Sequence, residues 1–219
     1  METELAWRKE ELAFFKNQLY NIDDEEQQNK YRKSLVLMLY SHFEGFIKIC
    51  LLTYVQYVNS LHRKRKDFNE QLVASSMNRE FAAYDNNDIK CSVFKNKLPE
   101  DKRLHRFYRR VNLLENIEEL EQSDLVIPDE AIDTESNLWY IVLQKNLFKV
   151  GLPIDLFDGL SKDIDALVNR RNSIAHGTER VGVREEEYSK WENKSYWIME
   201  QIIIFIYRDV CNENYLKVK

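Results

Sequence analysis

Helix breakers are scarce in this chain: its 219 residues hold 5 Gly and 3 Pro. Strand-rich folds with many tight turns use more of both, so long helices are expected, and a composition of 44% hydrophobic and 32% charged residues suits them. Cysteine is scarce too. Cys50, Cys91 and Cys211 are odd in number and widely spaced, with no Cys-x-x-Cys, so neither a disulfide framework nor a zinc knuckle is indicated. Excess positive charge is missing: the net charge of -5 argues against a general nucleic-acid coat protein, and phosphate binding would need a local basic patch. No window holds 18 uncharged apolar residues, the run from Ile202 to Tyr207 is too short to span a bilayer, and the acidic start Met1-Glu2-Thr3-Glu4 lacks an apolar signal core. The expectation is a cytoplasmic protein without membrane contact. The length fits one domain, 1–219, able to bury a sizeable core. No paired acids at metal-site spacing and no phosphate-cradling glycine loop are present, so neither a metal nor a nucleotide cofactor is expected.

What is present is helical periodicity. Residues 3 to 20 predict a first helix with Leu5, Leu12, Phe15 and Leu19 on its apolar side. An acidic turn follows, where Asp23 or Asp24 can cap a long helix from 26 to about 61. That helix is apolar nearly all round, as a central core helix is. Glu44 and Lys48 lie on it at i and i+4, in the order that favours a local ion pair. The basic run His62-Arg63-Lys64-Arg65-Lys66 complements its C-terminal dipole. Further helices are expected at 67–83 and 100–121, with a loop from Tyr84 to Pro99 between them. On the second, Lys102, Arg103, Arg106, Arg109 and Arg110 form a basic stripe, joined by His105. It reads as an exposed charged face or as a surface that tracks phosphates. Thr134 to Leu138 has the look of a helix start, and residues 183 to about 215 close the chain as a long helix.

The most informative stretch runs from Leu167 to Gly177, an amphipathic helix that ends at a glycine, with Ser161 or Asp158 available as its cap. Ile164, Leu167, Arg171, Ile174 and Thr178 share one face, which places a guanidinium inside an apolar stripe, a costly position unless it is paired. Asp165, Asn169, Asn172 and His176 form a polar row. A histidine that moves protons near neutral pH, an arginine that grips phosphate and an asparagine that orients either one suit phosphodiester chemistry. Arg171 and His176 lie five residues apart, roughly 140° around an ideal helix. They converge only if the arginine reaches round or a second copy faces the first.

The string Arg171-Asn172-Ser173-Ile174-Ala175-His176 resembles the Arg-Asn-x-x-x-His signature of the HEPN superfamily, in particular its stand-alone prokaryotic nucleases of toxin and antiphage-defence systems. Asking for Asn after Arg lowers the chance frequency of Arg-x4-His in such a chain from about 0.3 to about 0.02. Ser41-His42-Phe43-Glu44-Gly45-Phe46 resembles a stretch of the corresponding core helix, which points Glu44 toward the site. The segment from Asn137-Leu138 to Gly151-Leu152-Pro153 resembles the helix and turn before the signature. Residues 60–132 resemble nothing in that core and read as an insertion.

The resemblance implies an all-α antiparallel helical bundle of HEPN type with an inserted helical segment. It also implies a metal-independent endoribonuclease acting as a homodimer, in which two motifs form one cleft and leave 2′,3′-cyclic phosphate ends. Arg171, Asn172 and His176 would be catalytic, with Glu44 and Arg170 supporting. Arg170, off the apolar stripe, is expected to meet solvent or substrate. RNA would be the substrate, and an antitoxin or defence-system protein a partner. Where some such toxins carry a tyrosine two residues after the histidine, this chain has Thr178, which separates it from control by tyrosine modification. The alternative is a catalytically inactive helical module that binds a partner protein or a nucleotide; a weaker one is a DNA-binding partner that uses the basic stripe.

Overall fold

The computed structural model describes residues 1–94 and 100–217. Among these, nine α-helices and four short 3₁₀ turns account for the regular structure. The chain runs α1 (Glu2–Asn17), α2 (Glu25–Ser60), α3 (Glu70–Ser76), α4 (Asn78–Asp85), α5 (Lys102–Glu115), α6 (Ile117–Gln122), α7 (Tyr140–Lys149), α8 (Ser161–Ala175) and α9 (Glu185–Cys211). The fold is all-α, as the scarcity of Gly and Pro and the helical periodicity lead one to expect.

Helix α2 is the axis of the bundle. Asp24 caps it, its carboxylate accepting from Gln27 N–H at 2.8 Å. Its buried residues include Leu35, Val36, Leu39, Phe43, Phe46, Ile47, Cys50, Leu51, Val55 and Val58, and α1, α8 and α9 pack around it. By length and composition α2 alone among the described helices is apolar enough to cross a membrane. More than half of its apolar window is buried inside the bundle, so that apolarity is spent on neighbouring helices.

Two predicted helices are divided. The stretch 67–83 breaks at Met77 into α3 and α4, and 100–121 breaks at Asn116 into α5 and α6. Periodicity alone does not reveal such breaks, because the apolar spacing continues across them. The loop expected at 84–99 is seen from Asn86 to Phe94; its remaining residues, 95–99, lie outside those described. The segment 61–126 is joined at its two ends and also packs on the bundle, with α3 against α7, Ser75 donating to the Lys149 carbonyl and Asn69 N–H to Tyr215. Asn59 exchanges two hydrogen bonds of 2.9 Å with the backbone of Ile127, Arg65 N–H donates to Ser123, and Leu125 N–H donates to Arg63. The helix start expected at Thr134 lies later. Glu135 and Ser136 adopt left-handed backbone, and α7 begins at Tyr140, whose N–H donates to Asp165 on α8 at 2.8 Å.

α1 is fastened to α2 through a buried polar knot. His42 Nδ1 lies 3.2 Å from the Arg8 guanidinium, and His42 Nε2 lies 2.9 Å from the Glu11 carboxylate. Guanidinium has no acceptor, so Nδ1 carries the lone pair and the ring's proton sits on Nε2, donated to Glu11. Trp7 meets the His42 ring edge-on and lies under Arg8. Burial and the nearby Arg8 charge hold His42 below its usual value of 6.5, against the pull of Glu11. In the unfolded chain the histidine takes a proton first, so its contribution to stability is complete above pH 6.5 and is lost as the pH falls through that value. Denaturant midpoints of the wild type should therefore fall between pH 7 and pH 5.5, and His42→Asn should flatten that fall. An equal slope in both proteins would show that the knot is not proton-linked.

Candidate functional site

The signature helix α8 buries Ile164, Leu167 and Val168 against α2. Neither Ser161 nor Asp158 caps it; Leu160 stands at the N-cap, without a side-chain bond, behind the 3₁₀ turn Asp158–Leu160. Its C-terminus is a Schellman turn. Gly177 N–H donates to Ile174 and Thr178 N–H to Ser173, with Gly177 at φ +69°. This fixes His176 as the C-cap residue, exposed, with no side-chain hydrogen bond or ion pair among the described residues.

Arg171 lies on the face turned toward α2. Its guanidinium stacks on the Tyr40 ring at 4.0 Å, lies 3.7 Å from the Glu44 carboxylate, and donates to the Ser136 carbonyl at 3.3 Å. Tyr40 is buried. Its hydroxyl accepts from Leu138 N–H at 2.7 Å, and burial pushes its pKa up to about 12. The phenol thus stays neutral and holds both the arginine and the 136–138 backbone. The apolar stripe therefore carries a paired guanidinium, answered within one chain. Glu44 turns to Arg171, where Lys48 was the nearer partner in sequence. Asn172 is half-buried, and its Oδ1 is shielded without a hydrogen bond. Tyr40 and Ser136 carry no distinguishing signal in the sequence, being a tyrosine in a core helix and a serine at an apparent helix start.

Arg170 is placed differently from the expectation of solvent or substrate. It pairs with Glu179, donates to the Gly182 carbonyl at 3.1 Å and lies 3.7 Å from Glu187 on α9. The loop it grips also docks on α2, with Val183 N–H donating to Asn29 and Lys33 to the Glu179 carbonyl. Gly182 is needed there, because a Cβ would lie 2.6 Å from that of Asn29. Arg170 is a clamp between α8 and the return to α9.

The basic stripe of α5 divides in two. Lys102, Arg103, Arg106 and Arg110 are exposed. Arg109 is 7% exposed and spends its guanidinium on the carbonyls of Tyr84 and Ile89 and on Asn87 Oδ1. His105, 2% exposed, accepts from Cys91 N–H. Both hold the loop after α4, so the phosphate-tracking surface expected of this stripe is reduced to its four exposed cations. Among the described residues no cluster of His, Cys, Asp or Glu is arranged to hold a metal ion.

Removing the Arg170 clamp leaves Glu179 and Glu187 facing each other in a half-buried place. Arg170→Ala should lower unfolding stability by about 1–3 kcal/mol, read from denaturant midpoints. An unchanged midpoint would show that the loop is held without it.

No curated protein and no solved structure matches the chain. A family model described as RiboL-PSP-HEPN matches residues 3–208, which takes in α1, α2, the signature helix and all but the last turn of α9. HEPN domains point to a nuclease-like or RNA-related role. With nearly its whole length matched, and the Arg-Asn-x-x-x-His string at the end of a helix packed on the core, the chain belongs to the RiboL-PSP-HEPN family of the HEPN superfamily.

Proposed function

We propose that the protein is a metal-independent endoribonuclease that cleaves RNA by attack of a 2′-hydroxyl on the adjacent phosphorus. The observation that carries this reading is the division of labour at the end of α8. His176 is exposed at the helix C-cap, with no side-chain bond among the described residues, while Arg171 is held in place by Tyr40, Glu44 and Ser136. His176 takes the 2′-hydroxyl proton as the new O–P bond forms. Arg171 stabilises the charge gathered on the pentacoordinate phosphorus, and Asn172 orients either the imidazole or a phosphate oxygen. The P–O5′ bond breaks, and the leaving oxygen takes a proton from a second acid. Arg171 and His176 of one chain lie roughly 140° apart on an ideal helix, so two copies meeting across a two-fold axis complete the site, and the His176 of the second copy supplies that acid. Products are a 2′,3′-cyclic phosphate and a 5′-hydroxyl.

In this reading the protein acts on RNA in the cytoplasm as a toxin or antiphage effector, restrained or triggered by a partner protein. The exposed cations of α5 draw in the strand, and the 60–132 insertion gives specificity.

A second reading rests on the same arginine. Because Arg171 is already satisfied within its own chain, a silent module that binds a protein or a nucleotide also fits. Purified protein incubated with total RNA in EDTA separates the two. Wild type should release cyclic-phosphate ends, and Arg171→Ala and His176→Ala should each lose at least about 100-fold in rate. Cleavage by all three proteins would sink the assignment of these residues, and cleavage by none would favour the silent module.

A further inference from the structure

Helices α4, α5 and α6 border a cavity of about 620 Å³ within the segment 61–126. Small-molecule sites are of this size, roughly 300–1,000 Å³, with mostly apolar walls and a few convergent polar groups. Here Ile89, Leu113, Leu120 and Val126 supply apolar wall, and none of the described lining residues belongs to the signature helix.

The charges around the cavity do not balance. Two of its three acids are already answered: Glu80 lies 3.0 Å from Arg65, and Asp124 lies 2.6 Å from Lys64. Only Glu119, exposed, is left over among the described lining residues. On the cationic side, Arg109 lines the cavity at 7% exposure and meets no carboxylate among the described residues. Its three bonds go to neutral oxygens, the Tyr84 carbonyl at 2.6 Å, the Ile89 carbonyl at 3.3 Å and Asn87 Oδ1 at 3.2 Å. A buried cation held only by neutral groups is costly, and an anion beside it recovers that cost.

Tyr84 stands in the same wall and gathers further positive charge. Its hydroxyl accepts from Arg110 at 3.3 Å. Bonds from Arg110 and Arg106 hold the phenol below its ordinary value of 10, so the field at this wall favours negative charge. Arginine, cavity and apolar wall thus meet at one place.

We propose that this cavity binds a small amphipathic anion, an apolar ring or chain ending in a carboxylate or phosphate. The anion lies against Arg109 beside Tyr84, and the apolar body lies on Leu113, Leu120 and Val126. The site is separate from the signature helix and stands whether or not the protein cuts RNA.

The test is isothermal titration calorimetry of the full-length protein with 1-naphthoate and decanoate, beside the uncharged 1-naphthamide and the cationic 1-naphthylmethylammonium. At least one of the two carboxylates should bind at one site per chain. 1-Naphthamide should bind at least about tenfold more weakly than 1-naphthoate, because it forfeits the charge-assisted bond. Arg109→Met should erase that difference between the two. Because Arg109 also holds the loop after α4, a second variant leaves it in place. Ala83→Trp, at an exposed wall position of α4, should fill the cavity and abolish binding with the melting temperature unchanged. The proposal falls if neither carboxylate binds the folded wild type, or if the amide or the ammonium binds as tightly as 1-naphthoate. Carboxylate binding that survives Ala83→Trp would place the ligand elsewhere and overturn it too.

Discussion

A guanidinium cannot lie in an apolar helix stripe without an answering group, and the region around the signature is arranged to answer Arg171. Tyr40 supplies an aromatic face, Glu44 a carboxylate and Ser136 a carbonyl. These come from the core helix and from a loop nearly a hundred residues further along the chain. The loop accepts left-handed backbone at two positions to reach the arginine. Its Leu138 N–H is held by the same tyrosine. The placement of α2, the turn before α7 and the signature helix is therefore one problem with one solution, centred on a single cation.

The second arginine of the pair shows how neighbouring residues of one type diverge. Arg170 and Arg171 lie about 100° apart on an ideal helix. One turns inward to α2. The other turns to the loop 178–184, where Glu179 and the Gly182 carbonyl hold it. That loop begins at the Schellman turn which leaves His176 exposed, so the same clamp that stabilises the return to α9 also fixes the surface on which the histidine stands. Fold stability and site geometry share the residues at this corner.

The segment 61–126 obeys a different logic. Two of its arginines are spent inside it: Arg65 on Ser76 and Glu80, Arg109 on Tyr84 and the loop after α4. These hydrogen-bonded arginines hold its turns beside buried Phe68, Leu72 and Met77. A charge pattern that reads as a phosphate surface is in part internal scaffolding, and only burial tells the two apart. Arg106 and Arg109, three residues apart on one helix, end in opposite circumstances.

The sequence by itself determined the helical class, the central position of α2, an aspartate cap at Asp23 or Asp24 and the termination of α8 at Gly177. Each follows from local rules, namely apolar spacing, capping chemistry and the freedom of glycine to take positive φ. It also carried the Arg-Asn-x-x-x-His string, because that motif is contiguous. Tertiary structure alone decided which arginine faces the core, that Glu44 turns from Lys48 to Arg171, and that Tyr40 and Ser136 meet the signature arginine. It also decided where α3–α4 and α5–α6 break. Those outcomes depend on partners far apart in sequence, and no local pattern specifies which side chain will meet a guanidinium once the helices have packed.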